Sequence, residues 1–123
     1  MPFVKAEELP RMELFPGARS GLVAGRQLML SFLVMETGAR VPEHSHPHEQ
    51  AGLMIEGVLR FRIGGEEQVL VPGDAFLVPP DMAHSGEVLE GPAKVLDIFS
   101  PPREDYIENY NRYTQTSGQT RWS

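Results

Sequence analysis

Apolar residues fall in short runs along this chain, and glycine or proline closes most of them. RQLMLSFLVME (26–36) is rich in large apolar side chains and opens the strand-like region, and GARVP (38–42) reads as a turn after it. AGLMI (51–55) is apolar on both parities, which predicts a strand covered on both faces, by a second sheet or by a partner subunit. VLRFRI (58–63) alternates: Leu59, Phe61 and Ile63 share one face, Arg60 and Arg62 the other, and Gly64-Gly65 supplies a tight hairpin turn into EEQVLV. VPGDAFLVPPD (71–81) holds a short strand between two proline turns, and AKVLDIF (93–99) is another strand. Only PREDYIENYNRY (102–113) has helical spacing, with Pro102 near its start and Tyr106, Tyr110 and Tyr113 on one face. This punctuation predicts an all-β sandwich or barrel followed by a short C-terminal helix.

Composition narrows the partners. A chain of 123 residues is sized for one domain, placed at 1–113, with the polar stretch 114–123 as a loosely held tail. Lys and Arg number 11 against 17 Asp and Glu, a net charge of -6, opposite in sign to the basic footprint of a nucleic-acid binder. Cysteine is absent, which excludes disulfides, thiolate metal sites and a cysteine nucleophile and fits a reducing cytoplasm. The opening MPFVKAEELPRMEL is acidic where a signal peptide needs an apolar core, and LMLSFLVM (28–35) is far short of the roughly 20 residues that span a bilayer. The expectation is a soluble cytoplasmic protein. Met29, Met35 and Met54 read as core filling and Arg60 and Arg62 as a solvated strand face.

Three of the four histidines crowd into HSHPHEQ (44–50). In an extended strand residues two apart share a face, so His44 and His46 can offer nitrogens to one metal ion at roughly 2.0 to 2.2 Å. A polar surface strand that merely contains histidine remains the alternative at this point.

The wider array is Gly38, His44, His46, Gln50 and Gly57, spaced G-x5-H-x-H-x3-Q-x6-G. It resembles the first signature motif of the cupin superfamily, in which the position of Gln50 is more often Glu. GDAFLVPPDMAHSGEV resembles the second motif from Gly73 through Pro79 to His84, with Asp81 in place of a glycine and Val88 in place of an asparagine. Asp tolerates the left-handed backbone that a turn glycine implies. The resemblance implies a double-stranded β-helix, or jelly-roll barrel, holding one divalent transition metal (nickel, zinc, manganese, iron or copper) on His44, His46, Gln50 and His84. His48 is left over and reads as structural or as support for a ligand; Glu49 has the opposite parity and faces away.

VLDIFSPPREDY (95–106), with the two histidine segments, further resembles the small single-domain cupins of the KdgF group, the pectin-degradation proteins. That resemblance implies a metal-dependent, isomerase- or lyase-like enzyme that opens the ring of 4,5-unsaturated uronates to linear keto sugar acids. It also implies a pocket containing Asp97, Phe99 and Arg103, with Asp97 and Arg103 catalytic and Phe99 and Arg103 binding substrate. Taken alone, the same residues read as a solvated carboxylate, ordinary core and a surface charge. The expected partners are a small anionic sugar acid and a second copy of the chain. Two other functions stay open: a metal-dependent dioxygenase of another small molecule, and a non-catalytic binding module.

Overall fold

The computed structural model describes residues 3–116, and residues 117–123 of the expected tail lie outside that range. Among the described residues eight strands follow in order: β1 (Met12–Phe15), β2 (Ala18–Ala24), β3 (Met29–Met35), β4 (Arg40–His44), β5 (Glu49–Ile63), β6 (Glu66–Leu70), β7 (Ala75–Val78) and β8 (His84–Ser100); helix α1 (Glu104–Thr116) comes after them. All pairings are antiparallel. The strand order β1-β2-β3-β8-β5-β6, with β4 added on β8 and β7 on β5, gives the expected all-β jelly roll with its short C-terminal helix. Among the described residues no helix is long and apolar enough to cross a membrane.

The frame is one long ladder between β5 and β8, from Glu49↔Ser100 to Ile63↔His84, with register shifts between Met54 and Leu59. At those shifts the ladder bends, and its two halves face each other. Met54, Leu59, Phe61, Val88 and Val95 from both halves join one buried cluster with Leu33 and Met35. Gly57 makes the bend possible: it sits at φ +85°, and a Cβ there would lie 2.7 Å from Ala93 Cα and Pro92 O. A non-glycine residue meets both backbone strain and a collision at that position.

Several expectations need correction. The strand region opens at Met12, well before residue 26. β2 escapes a hydrophobicity reading because its inward face carries Ser20, whose hydroxyl is 2.6 Å from that of Ser31 inside the sheet. Residues 40–42, expected in a turn, begin β4 and pair with β8, and the turn is confined to the residues before them. AGLMI and VLRFRI are halves of a single strand, and the strand at 93–99 is the end of one that starts at His84. The outer face of AGLMI is not covered within one chain, where Leu53 is 41% and Ile55 52% exposed. Helix α1 starts at Glu104 and runs to Thr116; Tyr110 is buried in its apolar row and donates its hydroxyl to Pro10 O at 2.7 Å. The hairpin forms where expected, with Ile63 opposite Glu66 across Gly64-Gly65.

Gly57→Ala should cost roughly 2 to 5 kcal/mol of unfolding free energy in urea. Gly65→Ala, where an added Cβ meets nothing within 4 Å, should change it by less than about 0.5 kcal/mol. Equal losses would show that the bend does not depend on Gly57.

Candidate functional site

His44 ends β4 directly opposite His84, the first residue of β8; His46 lies in the connection to β5, and Gln50 is that strand's second residue. Ring centroids are 4.2 Å apart for His44 and His84, 5.0 Å for His46 and His84 and 5.6 Å for His44 and His46. One nitrogen from each ring lies within 4.8 Å of the others. Every one of these rings is turned by its Nδ1. The partners are Pro42 O at 2.8 Å for His44, His48 O at 3.0 Å for His46 and Met82 O at 2.9 Å for His84. A carbonyl only accepts, so each Nδ1 carries the proton and each neutral ring keeps a bare lone pair on Nε2. Nε2 of His84 is buried without a hydrogen-bond partner among the described residues.

Gln50 adds a fourth donor atom. Its Nε2 donates to Asp97 Oδ1 at 3.2 Å, which turns Oε1 toward His46 Nε2 at 3.1 Å. The proton of His46 is already committed at Nδ1, so these two atoms are both acceptors, and only an electron-pair acceptor between them suits both. Three imidazole nitrogens and an amide oxygen with unused lone pairs fit a divalent transition metal, and His44, His46, His84 and Gln50 are the residues that could hold one. His48 is buried outside this group, its ring 5.4 Å from His46 and its Nε2 3.6 Å from Glu104 Oε2. Glu49 is exposed and points away, as its parity requires.

Asp97 is buried on β8 between Ser31 and Gly52. Gly52, opposite it, has no side chain, and the Phe76 ring occupies the place that a Cβ there would take. Burial pushes the Asp97 carboxyl up to about 7, against the opposing pull of the Gln50 amide and the Arg103 charge. Phe99 pairs with Gln50 across the ladder, and its ring is 5.7 Å from that of His46. Arg103, 9% exposed, has its guanidinium carbon 3.7 Å from the centre of the Tyr106 ring and 5.4 Å from that of Phe99. Its Nε and Nη2 donate to the Asp105 carboxylate at 3.4 and 3.0 Å. A cavity of about 50 Å³ joins these groups: His44, Gln50, His84, Asp97, Phe99 and Arg103 line it together with apolar core side chains.

A family model described as a cupin domain matches residues 31–99, the span that holds all four candidate donors. The chain is a cupin. It is 29% identical to the pectin degradation protein KdgF of Dickeya dadantii (strain 3937) over 103 residues, 82% of this chain and 94% of that one. The structure of KdgF from Halomonas sp. superposes with a TM-score of 0.81 at 31% identity, covering 85% of this chain and 98% of that one. An RmlC-like cupin from Shewanella frigidimarina superposes equally well, TM-score 0.81 at 29% identity, over 86% and 96% of the two chains.

Two lining residues of this cupin escaped the sequence reading. Ser31 is the one polar residue on the inward parity of β3, among Met29, Leu33 and Met35, and that exception was the available signal. Tyr106 entered the sequence reading only as one of three tyrosines on a helix face, although it stands three residues after Arg103, a spacing at which side chains meet at the start of a helix.

Burial also lowers His84 to about 4, and it lowers His46 with help from the Arg103 charge. Between about 4 and the ordinary 6.5 an unfolded His84 binds a proton that the folded ring refuses, so stability falls as pH drops through that window, by roughly 3 kcal/mol. Asp97 acts oppositely. Its folded carboxyl keeps a proton up to about 7 against 3.8 unfolded, so its contribution falls as pH rises. In chelator-treated protein the two slopes oppose each other, and Asp97→Asn should expose a rise in unfolding free energy from about pH 4 to 6.5. A flat urea-unfolding profile in that variant would contradict a buried neutral His84.

Proposed function

We propose that this cupin is a metal-dependent enzyme that opens the ring of 4,5-unsaturated uronates to give linear keto sugar acids. The observation that carries the reading is the convergence of three bare imidazole nitrogens and the Gln50 amide oxygen beside a buried Asp97 and a buried Arg103. The similarity to two KdgF proteins, one of them named for pectin degradation, supports the substrate class. A divalent metal on His44, His46, Gln50 and His84 would supply a Lewis acid to the oxygens of the bound sugar acid. The donor set suits nickel, zinc, manganese, iron or copper.

The chain's own groups carry the proton and the anion. Arg103 keeps its charge at every working pH and binds the sugar carboxylate, while Phe99 borders the ring. Asp97 takes the proton from the C1 hydroxyl as the C1–O5 bond breaks. The electrons of that bond leave an enolate across C4, C5 and O5. Asp97 then returns the proton to C4, and the linear 5-keto acid results with every proton accounted for. A carboxyl near 7 suits both halves of this transfer, because it can accept and release a proton near neutrality.

The outer face of the β5–β8 ladder fits the expected homodimer. Leu53, Ile55 and Leu77 are exposed there, and the half-buried Phe32, Leu96 and Ile98 extend the same apolar face. A continuous apolar sheet face of this kind favours a copy of itself, with the two sheets packed in alignment. Leu53→Lys should convert the dimer to monomer in light scattering; a wild type that is monomeric at assay concentration would overturn the pairing.

The test of the activity follows the ultraviolet absorbance of the unsaturated uronate, which is lost as the ring opens to the keto acid. Wild type should remove it, chelator should stop the reaction, and added metal should restore it. Asp97→Asn should lower kcat by roughly 10²- to 10⁴-fold with metal content unchanged, whereas Arg103→Ala should chiefly raise KM. A metal-loaded wild type that leaves the uronate intact would refute the proposal.

A further inference from the structure

Arg103 is more constrained than a substrate-binding arginine at the rim of a pocket needs to be. Its side edge, Nε and Nη2, is filled by both oxygens of Asp105. One flat face lies on the Tyr106 ring at 3.7 Å, and Phe99 stands 5.4 Å from the same carbon. The residue between them, Glu104, is drawn elsewhere, toward His48 at 3.6 Å. The first turn of α1 thus sends one carboxylate to each side, and only Asp105 meets the guanidinium.

We infer that Asp105 and Tyr106 are positioning residues that lock the Arg103 guanidinium in one plane and leave its Nη1–Nη2 edge to receive a carboxylate. The inference rests on the uronate reading for the identity of that carboxylate, but not for the geometry. A guanidinium has a fixed fork of donors; once Asp105 takes the side edge, the end edge is the remaining pair able to grip two oxygens at once. Stacking on Tyr106 removes the rotation that would otherwise sweep this edge out of the cavity, so less freedom is lost when an anion binds. The Asp105 side chain is itself more than half exposed, yet its partner is buried, which distinguishes the pair from an ordinary surface ion pair. Burial would raise the Asp105 carboxyl, but the hydrogen bond and charge of Arg103 outweigh it and hold the group below its ordinary value.

Asp105→Asn keeps the shape and removes the charge. It should raise KM for the unsaturated uronate roughly 5- to 20-fold and leave kcat within about 2-fold, and Asp105→Glu should recover part of the loss. Tyr106→Leu should raise KM more than Tyr106→Phe, which retains the ring. In an Arg103→Lys background, Asp105→Asn should add no further rise, because the lysine has no fork to orient. A second readout needs no substrate: phenylglyoxal modification of Arg103, followed by peptide mass mapping, should run several-fold faster in folded Asp105→Asn and Tyr106→Leu than in wild type. Unchanged modification rates in both variants would overturn the positioning role. If wild type is inert toward the uronate while modification still accelerates, the proposed substrate falls and the positioning role stands.

Discussion

One amide holds the polar centre together. Gln50 donates from Nε2 to Asp97 and presents Oε1 to His46, and no other side chain of that length has a donor and an acceptor so placed. A glutamate there would set a second carboxylate 3.2 Å from Asp97. In a buried site two such groups cannot both ionise and must share a proton. With the amide, Asp97 keeps an acceptor-only contact and is free to exchange its proton with something that enters the cavity. An amide at the position where the cupin motif more often carries glutamate thus suits the carboxylate that stands beside it on β8.

The barrel exists, in physical terms, to bring that amide to His84. Gln50 pairs with Phe99 and Ile63 pairs with His84, at opposite ends of one ladder. Thirteen residues of straight strand would separate them by roughly 40 Å. The bend at Gly57 folds the ladder over, and both residues line one cavity. Asp81 completes the alignment from the other side: it takes the left-handed backbone at φ 65°, and its N–H donates to His46 O at 2.8 Å. The turn before His84 is thereby tied to the segment that carries His46.

How much of this was legible in the sequence depended on how local its cause is. Alternation placed Leu59, Phe61 and the arginines of β5 on their proper faces, because that follows from the pleat alone; Gln50 was grouped with His46 only by the resemblance to the cupin motif, since a bend in the connection between β4 and β5 separates the two. The lengths of β5 and β8 were not legible. β8 passes through Gly86, Glu87, Glu90, Gly91 and Pro92, residues that read as loop and are tolerated because the strand is crossing between layers there. β1 and β2 were missed for a related reason: the strand character of β2 comes from pairing with β3 and from the buried Ser20–Ser31 contact, and that of β1 from pairing with β2, none of which has a one-dimensional signature. The grip of Asp105 on Arg103 is local, but i and i+2 side chains do not face each other within a helix, where the sequence reading placed both, and the helix starts two residues later than expected, leaving Arg103 outside it.

The charge balance of the cavity differs from that of the acidic protein around it, and this is what the proposed uronate would meet. The chain carries a net charge of -6, yet inside the barrel burial suppresses one ionisation after another: His84 and His46 are pushed toward neutrality and Asp97 toward its protonated form. Arg103 cannot be suppressed this way, because a guanidinium does not release its proton in the accessible range. Its compensating charge, Asp105, sits on the outer side and leaves the inward edge uncancelled. A carboxylate entering the cavity would meet a local field set by that edge and by any cation held on the imidazoles, with the distant surface carboxylates screened from it by solvent and by distance.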